Sequence, residues 1–182
     1  MTRELTLIKK VPSSERYGEL NKIENDTLKE NIKILLNKLE SVFKTNKIKY
    51  IVGNFSGGHD QGGFDDVMFA DKDKNEITIL PKDKDDFIIF AEKSELLTYQ
   101  EENSEDILIF KKTSYERFDF NNRDILETIM FDSGCLEEYG SFAGEFSVEG
   151  TVSLDVFTGK WAMEGQETME QYENVSREGA LA

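Results

Sequence analysis

The order in which hydrophobic spacing changes along this chain limits what it can fold into. Apolar residues recur at helical spacing over residues 26–45, then alternate with polar residues in strand-length runs. They return to helical spacing near residue 122 and end in alternation again. Helices separated by groups of strands are typical of an α+β protein rather than of a doubly wound parallel sheet. We therefore expect an antiparallel β-sheet with two main helices packed on it, ending in a three-strand meander.

Capping residues and glycines mark the ends of these elements. Asn25 or Asp26 can cap the first helix, and Asn121 or Asn122 can cap the second. Gly134 then ends or interrupts the second helix. Strands are expected over residues 48–55, 67–70, 76–80, 86–91 and 106–110 and in three runs after residue 140, while residues 95–100 fit either a strand or a helical turn.

The length of 182 residues suits one domain. We predict an N-terminal arm over residues 1–24, a single α+β domain over 25–165, and an acidic C-terminal tail or short helix over 166–182. The single cysteine, Cys135, excludes an intramolecular disulfide. No apolar run approaches the roughly 18 residues that a membrane span needs. We expect a cytoplasmic protein with no membrane partner, and the sequence leaves open whether it forms a homodimer.

The charge of the chain is unevenly placed. The net charge is −15, and residues 124–182 hold 13 Asp and Glu but only two Lys and Arg. Such an acidic segment repels phosphate groups, so it disfavours direct binding of nucleic acid and favours a basic protein surface. The other interpretation is that the acidity only keeps the protein soluble. A predicted helix over the last glutamates would align Glu164, Glu167, Glu170 and Glu173. The candidate partner-binding residues are Glu137, Glu138, Glu145, Glu149, Asp155, Glu164, Glu167, Glu170 and Glu173.

The stretch over residues 56–66 combines four glycines with the only histidine. One interpretation is a wide hairpin loop in which glycines take positive φ and aspartates cap turns. The other is a binding loop for a protein or for Ca²⁺ or Mg²⁺, although the spacing matches no EF-hand, zinc or phosphate-loop motif. Its candidate residues are Gly57, Gly58, His59, Asp60, Asp65 and Asp66.

No set of catalytic residues is apparent. With one histidine and one cysteine, a nucleophile and its base are hard to assemble, and Cys135 falls near a helix where a buried thiol is common. Glu137 and Glu138 fit an acid/base pair, but they fit an exposed helix end better. We therefore expect no enzyme activity and predict no cofactor and no metal.

Two segments together resemble a known group of proteins. The first is Phe55-x-Gly57-x-x-Asp60-x-Gly62, and the second runs from Glu138 to Phe146 before a Gly-Thr-Val-Ser-Leu-Asp strand. They are similar to an uncharacterised family of plasmid- and phage-borne bacterial proteins. That family has no settled activity, so the resemblance implies a bacterial host cell and no particular functional residue.

Small size, acidity and this mobile-element character also resemble anti-CRISPR inhibitors of type II RNA-guided nucleases. Many such inhibitors are acidic proteins that occupy basic clefts meant for DNA. The resemblance implies a non-enzymatic inhibitor that binds a basic nucleic-acid-binding cleft. The alternative is a metal-dependent binding protein or hydrolase that uses the loop over residues 56–66.

Overall fold

The computed structural model has an α+β fold with antiparallel strands, as predicted, and it describes residues 4–100, 105–139, 142 and 146–169. The helices are α1 (Arg16–Lys38), α2 (Glu40–Thr45) and α3 (Arg123–Asp132), with 3-10 turns at Ser13–Glu15, Pro81–Phe87 and Glu137–Tyr139. The strands are β1 (Glu4–Pro12), β2 (Tyr50–Gly58), β3 (Gln61–Ala70), β4 (Ile88–Gln100), β5 (Asp106–Asp119), β6 (Phe146–Asp155) and β7 (Trp161–Met169).

The described strands divide into two sheets, where the sequence predicted one. The three-stranded sheet has the order β1-β5-β4, and the four-stranded sheet has the order β3-β2-β6-β7. Every pair of neighbours in both sheets is antiparallel. Strand β2 joins β3 through a hairpin and pairs on its other side with β6, which lies far away in the sequence.

Helix α1 covers one face of the three-stranded sheet. Its early residues Leu20 and Ile23 pack against the small cluster that contains Val11 on β1. Further along, the Asn31 amide donates to the Ser94 carbonyl on β4, and the Ser94 amide donates back to the Asn31 side chain, both at 2.9 Å. The arm predicted for residues 1–24 therefore forms β1 and the start of α1 in its described part, because the apolar stripe begins a full turn before Asn25.

Helix α3 confirms the second predicted helix. The Asn122 side chain accepts a hydrogen bond from the Asp124 amide at 3.0 Å and caps the helix. Leu126, Ile129 and Met130 form its buried face. Gly134 follows the last turn with a φ of 79°, a conformation in which glycine commonly ends a helix.

Both sheets and all three helices contribute to one hydrophobic core. From α1 and α2 it takes Ile32, Leu36 and Phe43, and α3 adds Met130. The four-stranded sheet contributes Ile51, Phe55, Phe64, Val152 and Leu154, and the three-stranded sheet contributes Ala91 with the flanking Phe87 and Phe120.

Two local predictions differ from the structure, and one that the sequence left open, at residues 95–100, is decided by it. Residues 76–80 form one isolated bridge, between Ala70 and Glu76, instead of a strand. Residues 95–100 belong to β4. In its described part the closing segment has two strands rather than three, because Gly150 lies inside β6. A Cβ atom there would sit 2.9 Å from the Phe55 ring and 2.5 Å from a β7 carbonyl. Gly150 is therefore a packing glycine and not a strand break.

None of the helices in the described ranges is long and apolar enough to cross a membrane.

Candidate functional site

The glycine-rich segment forms a tight hairpin rather than the wide loop predicted. Strand pairing continues to Gly58 and Gln61, so only His59 and Asp60 lie in the turn. Their φ angles are 52° and 68°, which is the left-handed pair that a type I′ turn requires. Asp and His adopt this conformation more easily than most residues do. The turn therefore places the only histidine at the exposed tip.

Two glycines next to the turn leave room for an aromatic ring to pack against the hairpin. Gly57 and Gly62 pair across the hairpin, and Phe142 lies against both of them. A Cβ atom on Gly57 would lie 2.0 Å from the Phe142 ring, and one on Gly62 would lie 2.5 Å from it. The Asp60 amide also donates to the Phe142 carbonyl at 3.0 Å. The glycines are needed because no side chain fits between the hairpin and this ring.

An aromatic cluster joins the same hairpin to the connection that follows α3. The Tyr139 ring stacks on Phe142 with a centroid distance of 5.8 Å, and Phe146 and Phe55 each lie 6.1 Å from Tyr139. The described residues of the two segments on which the predicted resemblance rests therefore meet in space. Their glycines and aromatic residues have a structural role in this contact.

A β-bulge directs Asp65 away from the regular ladder. Asn54 pairs with Asp66 while Phe55 pairs with Phe64, so Asp65 is the extra residue. Its carboxylate accepts a hydrogen bond from the Ser56 hydroxyl at 3.0 Å, and Arg123 donates to its backbone carbonyl. The bulge thus places a carboxylate beside the hairpin instead of within the sheet face.

Beside the hairpin lies an open cleft of about 830 Å³, which we call the hairpin cleft. It is bounded by the tip of β2–β3, by α3, and by the ends of β6 and β7. Among the described residues, its lining contains Asp65, Glu127 and Glu149 together with His59, and no lysine or arginine. The Phe131 ring also lines it, is 42% exposed, and rests edge-on against Phe64 at 5.0 Å. The cleft therefore combines negative charge with an accessible aromatic ring.

The outer face of the four-stranded sheet, opposite the core, continues this polar surface. One row across the four strands contains Asp66, Asn54, Thr151 and Glu164. The Thr151 hydroxyl donates to the Asn54 side chain at 3.0 Å. Glu149 lies on this face with Ser147 and Thr151, because Val148 and Val152 point to the core instead.

The two sheets differ in the charges that their strands carry. The strands of the four-stranded sheet carry six carboxylates and no lysine or arginine: Asp65, Asp66, Glu149, Asp155, Glu164 and Glu167. The strands of the three-stranded sheet carry six of each sign: Lys9, Lys10, Lys93, Lys111, Lys112 and Arg117 with Glu4, Glu92, Glu95, Asp106, Glu116 and Asp119. The acidic excess of the strands is therefore confined to one sheet.

Cations from neighbouring segments offset part of this excess. Arg123 lies 3.6 Å from Asp66, and Lys74 lies 3.8 Å from Glu164. In the part of the chain that the structure describes, neither Glu127 nor Glu149 has an ion-pair partner. Of the six carboxylates on the strands, the two that line the hairpin cleft, Asp65 and Glu149, thus have no ion pair among the described residues.

Asp155 has a structural role rather than a place in the free acidic surface. Lys49 pairs with it at 2.7 Å, and the amides of Phe157 and Thr158 donate to it. Burial alone acts to raise the pKa of the Asp155 carboxyl, but these bonds outweigh it and hold the pKa below its usual value. Asp155 thus stabilises the turn between β6 and β7.

Glu137, another predicted partner-binding residue, does not line the hairpin cleft. Glu137 accepts a hydrogen bond from the Asn25 amide at 3.2 Å, beside α1. The predicted helical alignment of Glu164 and Glu167 is wrong, because both lie on β7 and an odd separation points them to opposite faces. The side chain of Glu138 and the residues Glu145, Glu170 and Glu173 lie outside the described residues.

Glu127 and Phe131 were missed at the sequence level. They lie four residues apart on the exposed side of α3, so they share a face. The sequence shows only that Phe131 lies outside the apolar stripe of the helix, and no local pattern shows that α3 brings the two residues to the hairpin.

The described residues contain neither a cluster of potential metal ligands nor a reactive thiol. Among these residues, no three His, Cys, Asp or Glu side chains converge in a way that would hold a metal ion. Cys135 is fully buried, and its thiol donates to the Met130 carbonyl at 3.1 Å. Burial raises the pKa of this thiol, which keeps it protonated.

No protein-family model matches this chain, and neither a curated protein nor a solved structure matches it. The resemblance to plasmid- and phage-borne proteins stays a prediction. What the chain does must therefore be argued from the hairpin cleft and the acidic sheet.

Proposed function

We propose that this chain is a non-enzymatic recognition protein that presents its four-stranded sheet and hairpin cleft to a basic, nucleic-acid-binding surface of another protein. One observation carries the proposal: the strands of this sheet carry six carboxylates without a cation, while those of the other sheet are balanced. Like charges gathered on one surface repel each other, and an opposing basic surface relieves that repulsion.

The hairpin cleft gives such a partner a specific point of attachment. An arginine side chain entering it would meet the carboxylates of Asp65, Glu127 and Glu149 and the face or edge of Phe131. Guanidinium groups form strong bonds with carboxylates and stack on aromatic rings, so arginine suits this lining better than lysine does. We therefore expect the partner to contribute an arginine here.

The acidic surface would act by competition with nucleic acid. A protein groove that binds phosphates does so with lysine and arginine, and an acidic protein placed in that groove excludes the nucleic acid. Type II RNA-guided nucleases are the first target to test, because they hold DNA in positively charged channels and the two resemblances point to mobile elements.

The experiment mixes the purified protein with a guide-loaded type II nuclease and measures DNA cleavage over a salt series. We expect inhibition at low salt that weakens as salt rises, because screening removes the attraction between exposed charges. Adding the protein before the DNA should inhibit more than adding it afterwards. Unchanged cleavage at low salt rejects this target.

A pair of matched variants tests the site itself. Asp65→Asn, Glu127→Gln and Glu149→Gln together remove three charges from the hairpin cleft. Glu4→Gln, Asp85→Asn and Glu92→Gln together remove three charges elsewhere. Binding of a fluorescent arginine-rich peptide should weaken at least tenfold in the first variant and far less in the second. Equal weakening in both would show that only net charge matters and would overturn the proposed site.

A further inference from the structure

The face of the three-stranded sheet that α1 does not cover carries a cluster of apolar side chains. Side chains of β4 and β5 alternate between the two faces of the sheet, and Leu96 and Ile109 belong to the cluster that α1 covers on one face. Their neighbours along each strand therefore point to the other face. The strand register places these side chains side by side on the opposite face. We call them the distal patch: Leu5, Leu7, Leu97, Tyr99, Leu108 and Phe110.

Much of the distal patch is open to solvent. Leu5, Leu7 and Tyr99 are 53%, 51% and 51% exposed, and the Tyr99 ring packs edge-on against Phe110 at 5.5 Å. Single exposed apolar residues are ordinary, but a contiguous group on one sheet face is typical of an interaction surface. The opposite end of the same face enters the hydrophobic core through Ile89 and Ala91. The patch is thus the uncovered half of a face that is otherwise buried.

The charges around the distal patch compensate each other within the same face. Three cross-strand ion pairs lie there: Lys10 with Asp106 at 3.1 Å, Lys112 with Glu95 at 3.0 Å, and Lys93 with Glu116 at 4.0 Å. A chain with a net charge of −15 repels its own copies. This neutral, apolar face is where two copies approach with the least repulsion, whereas a basic partner gains nothing from it.

We propose that the distal patch is a self-association surface through which two copies of this chain form a symmetric dimer. A two-fold axis makes such an interface self-complementary, so apolar side chains meet apolar side chains and each ion pair remains intact. Sheets that pack face to face lie about 10 Å apart and bury the side chains between them. The proposal is independent of the function proposed for the acidic sheet.

The dimer forms through the sheet face and not through the open edge of β1. That edge has a bulge at Ile8, lysines at positions 9 and 10, and Pro12, which has no amide hydrogen to donate. Bulges, lysines and prolines are the features that keep edge strands from pairing. Edge pairing would also leave Leu5 and Leu7 uncovered. A patch of six side chains is small for an interface, so we expect a weak, reversible dimer.

Sedimentation equilibrium from micromolar to millimolar concentration tests the dimer. The unaltered protein should associate, and association should persist or strengthen in high salt because apolar contacts are not screened. Leu7→Lys should weaken it at least tenfold, and Leu5→Lys should do the same. Leu80→Lys is the matched control, since Leu80 is 52% exposed but lies outside both sheets.

Thermal melting curves check that each variant is folded. We expect all of them to fold, because the substituted positions are exposed. A protein that stays monomeric up to millimolar concentration overturns the dimer. So does a dimer that high salt dissociates, because its interface would then be ionic. Equal weakening by Leu80→Lys and Leu7→Lys overturns the assignment to the distal patch. The triple variant of the hairpin cleft should dimerise as the unaltered protein does. A failure of the dimer can therefore be distinguished from a failure of the proposed function.

Discussion

The two sheets of this protein differ in how the charges on their strands are compensated. In the three-stranded sheet, Lys10, Lys93 and Lys112 each pair with a carboxylate on a neighbouring strand or at its end. In the four-stranded sheet, the strands supply only carboxylates, and the few compensating cations come from outside the strands. Exposed ion pairs add little stability individually. We therefore propose that the difference concerns what each sheet can contact, its own copy for the neutral surface and a basic partner for the acidic one.

The largest expected effect comes from a substitution at one of the glycines against which the Phe142 ring packs. Gly57→Ala places a methyl group 2.0 Å from the ring position, so the ring must leave the hairpin and lose its burial. Removing a buried phenylalanine ring typically costs about 3–5 kcal/mol, and we expect a loss of that order in the free energy of unfolding. Denaturant titration measures it.

Gly63→Ala is the control for this change, because its methyl group would lie 3.5 Å from the nearest heavy atom on Phe131. That is an ordinary contact, and we expect nearly unchanged stability. Comparable losses for the two substitutions would show that backbone freedom, and not the ring, requires glycine in this hairpin.

Asparagine substitutions compare a buried and an exposed amide in the two sheets. Asn31→Ala removes two buried hydrogen bonds and leaves the Ser94 amide and carbonyl without partners. A buried polar group left unpaired costs about 1–3 kcal/mol, so we expect a loss of about 2 kcal/mol. Asn54→Ala removes one bond to Thr151 on the exposed face and should change stability little. Denaturant titration measures the stability of both variants. A larger loss for Asn54→Ala than for Asn31→Ala would contradict the conclusion that the contact between α1 and β4 contributes more to stability.

A smaller effect distinguishes the sheets by their response to salt. Neutralising Asp65, Glu127 and Glu149 removes repulsion in the hairpin cleft, so the melting temperature should rise by a few degrees at low salt. High salt screens the same repulsion and should abolish the difference. The control variant at positions 4, 85 and 92 should shift the melting temperature less. A lower melting temperature for the hairpin-cleft variant at low salt would contradict the idea that these carboxylates repel each other.

The smallest effect concerns Asp132 at the end of α3. Burial raises the pKa of the Asp132 carboxyl, and Lys93 offsets this only in part. The unfolded chain therefore binds fewer protons than the folded one between the two pKa values, and the ionised group destabilises the fold at neutral pH. That destabilisation disappears below the unfolded pKa of about 3.9. Asp132→Asn should raise the melting temperature at neutral pH and have no effect in acid.

Asp155→Asn provides the opposite sign. Because the folded-state pKa of Asp155 is lowered, its ionised form stabilises the fold above the unfolded pKa, and this stabilisation is lost as the pH falls through the folded value. The substitution should lower the melting temperature at neutral pH and matter least in acid. Melting curves across pH that gave both variants the same sign would contradict one of the two assignments.

The elements of this fold were more predictable than their arrangement. The helical stripe through Ile32, Leu36 and Phe43 and the Asn122 cap identified two helices, because both signals are local. The division into two sheets was not predictable, since it depends on which distant strands pair, as β2 does with β6. The start of α1 was placed too late because Gly18 and nearby polar residues conceal the contribution of Leu20.

The candidate site was predicted only in outline. The acidic excess and the hairpin segment were both recognised, but the tight turn was not, because His59 and Asp60 take the left-handed conformation usually expected of glycine. A spacing of three residues suggested a helix for Glu164 and Glu167, although the same residues also suit a strand with charges on both faces. Glu127 and Phe131 reach the hairpin cleft only through the packing of α3, which no local pattern reports.

The Asn31 amide has a consequence for how this protein behaves when it is concentrated. It occupies the hydrogen-bonding positions of Ser94 that face away from β5, as the backbone of another strand would. An unpaired edge of a long strand is a template on which identical chains can stack into fibrils. The Asn31 side chain occupies the midpoint of the edge of β4 that faces away from β5. Replacing it should therefore make the chain prone to amyloid-like growth as well as less stable.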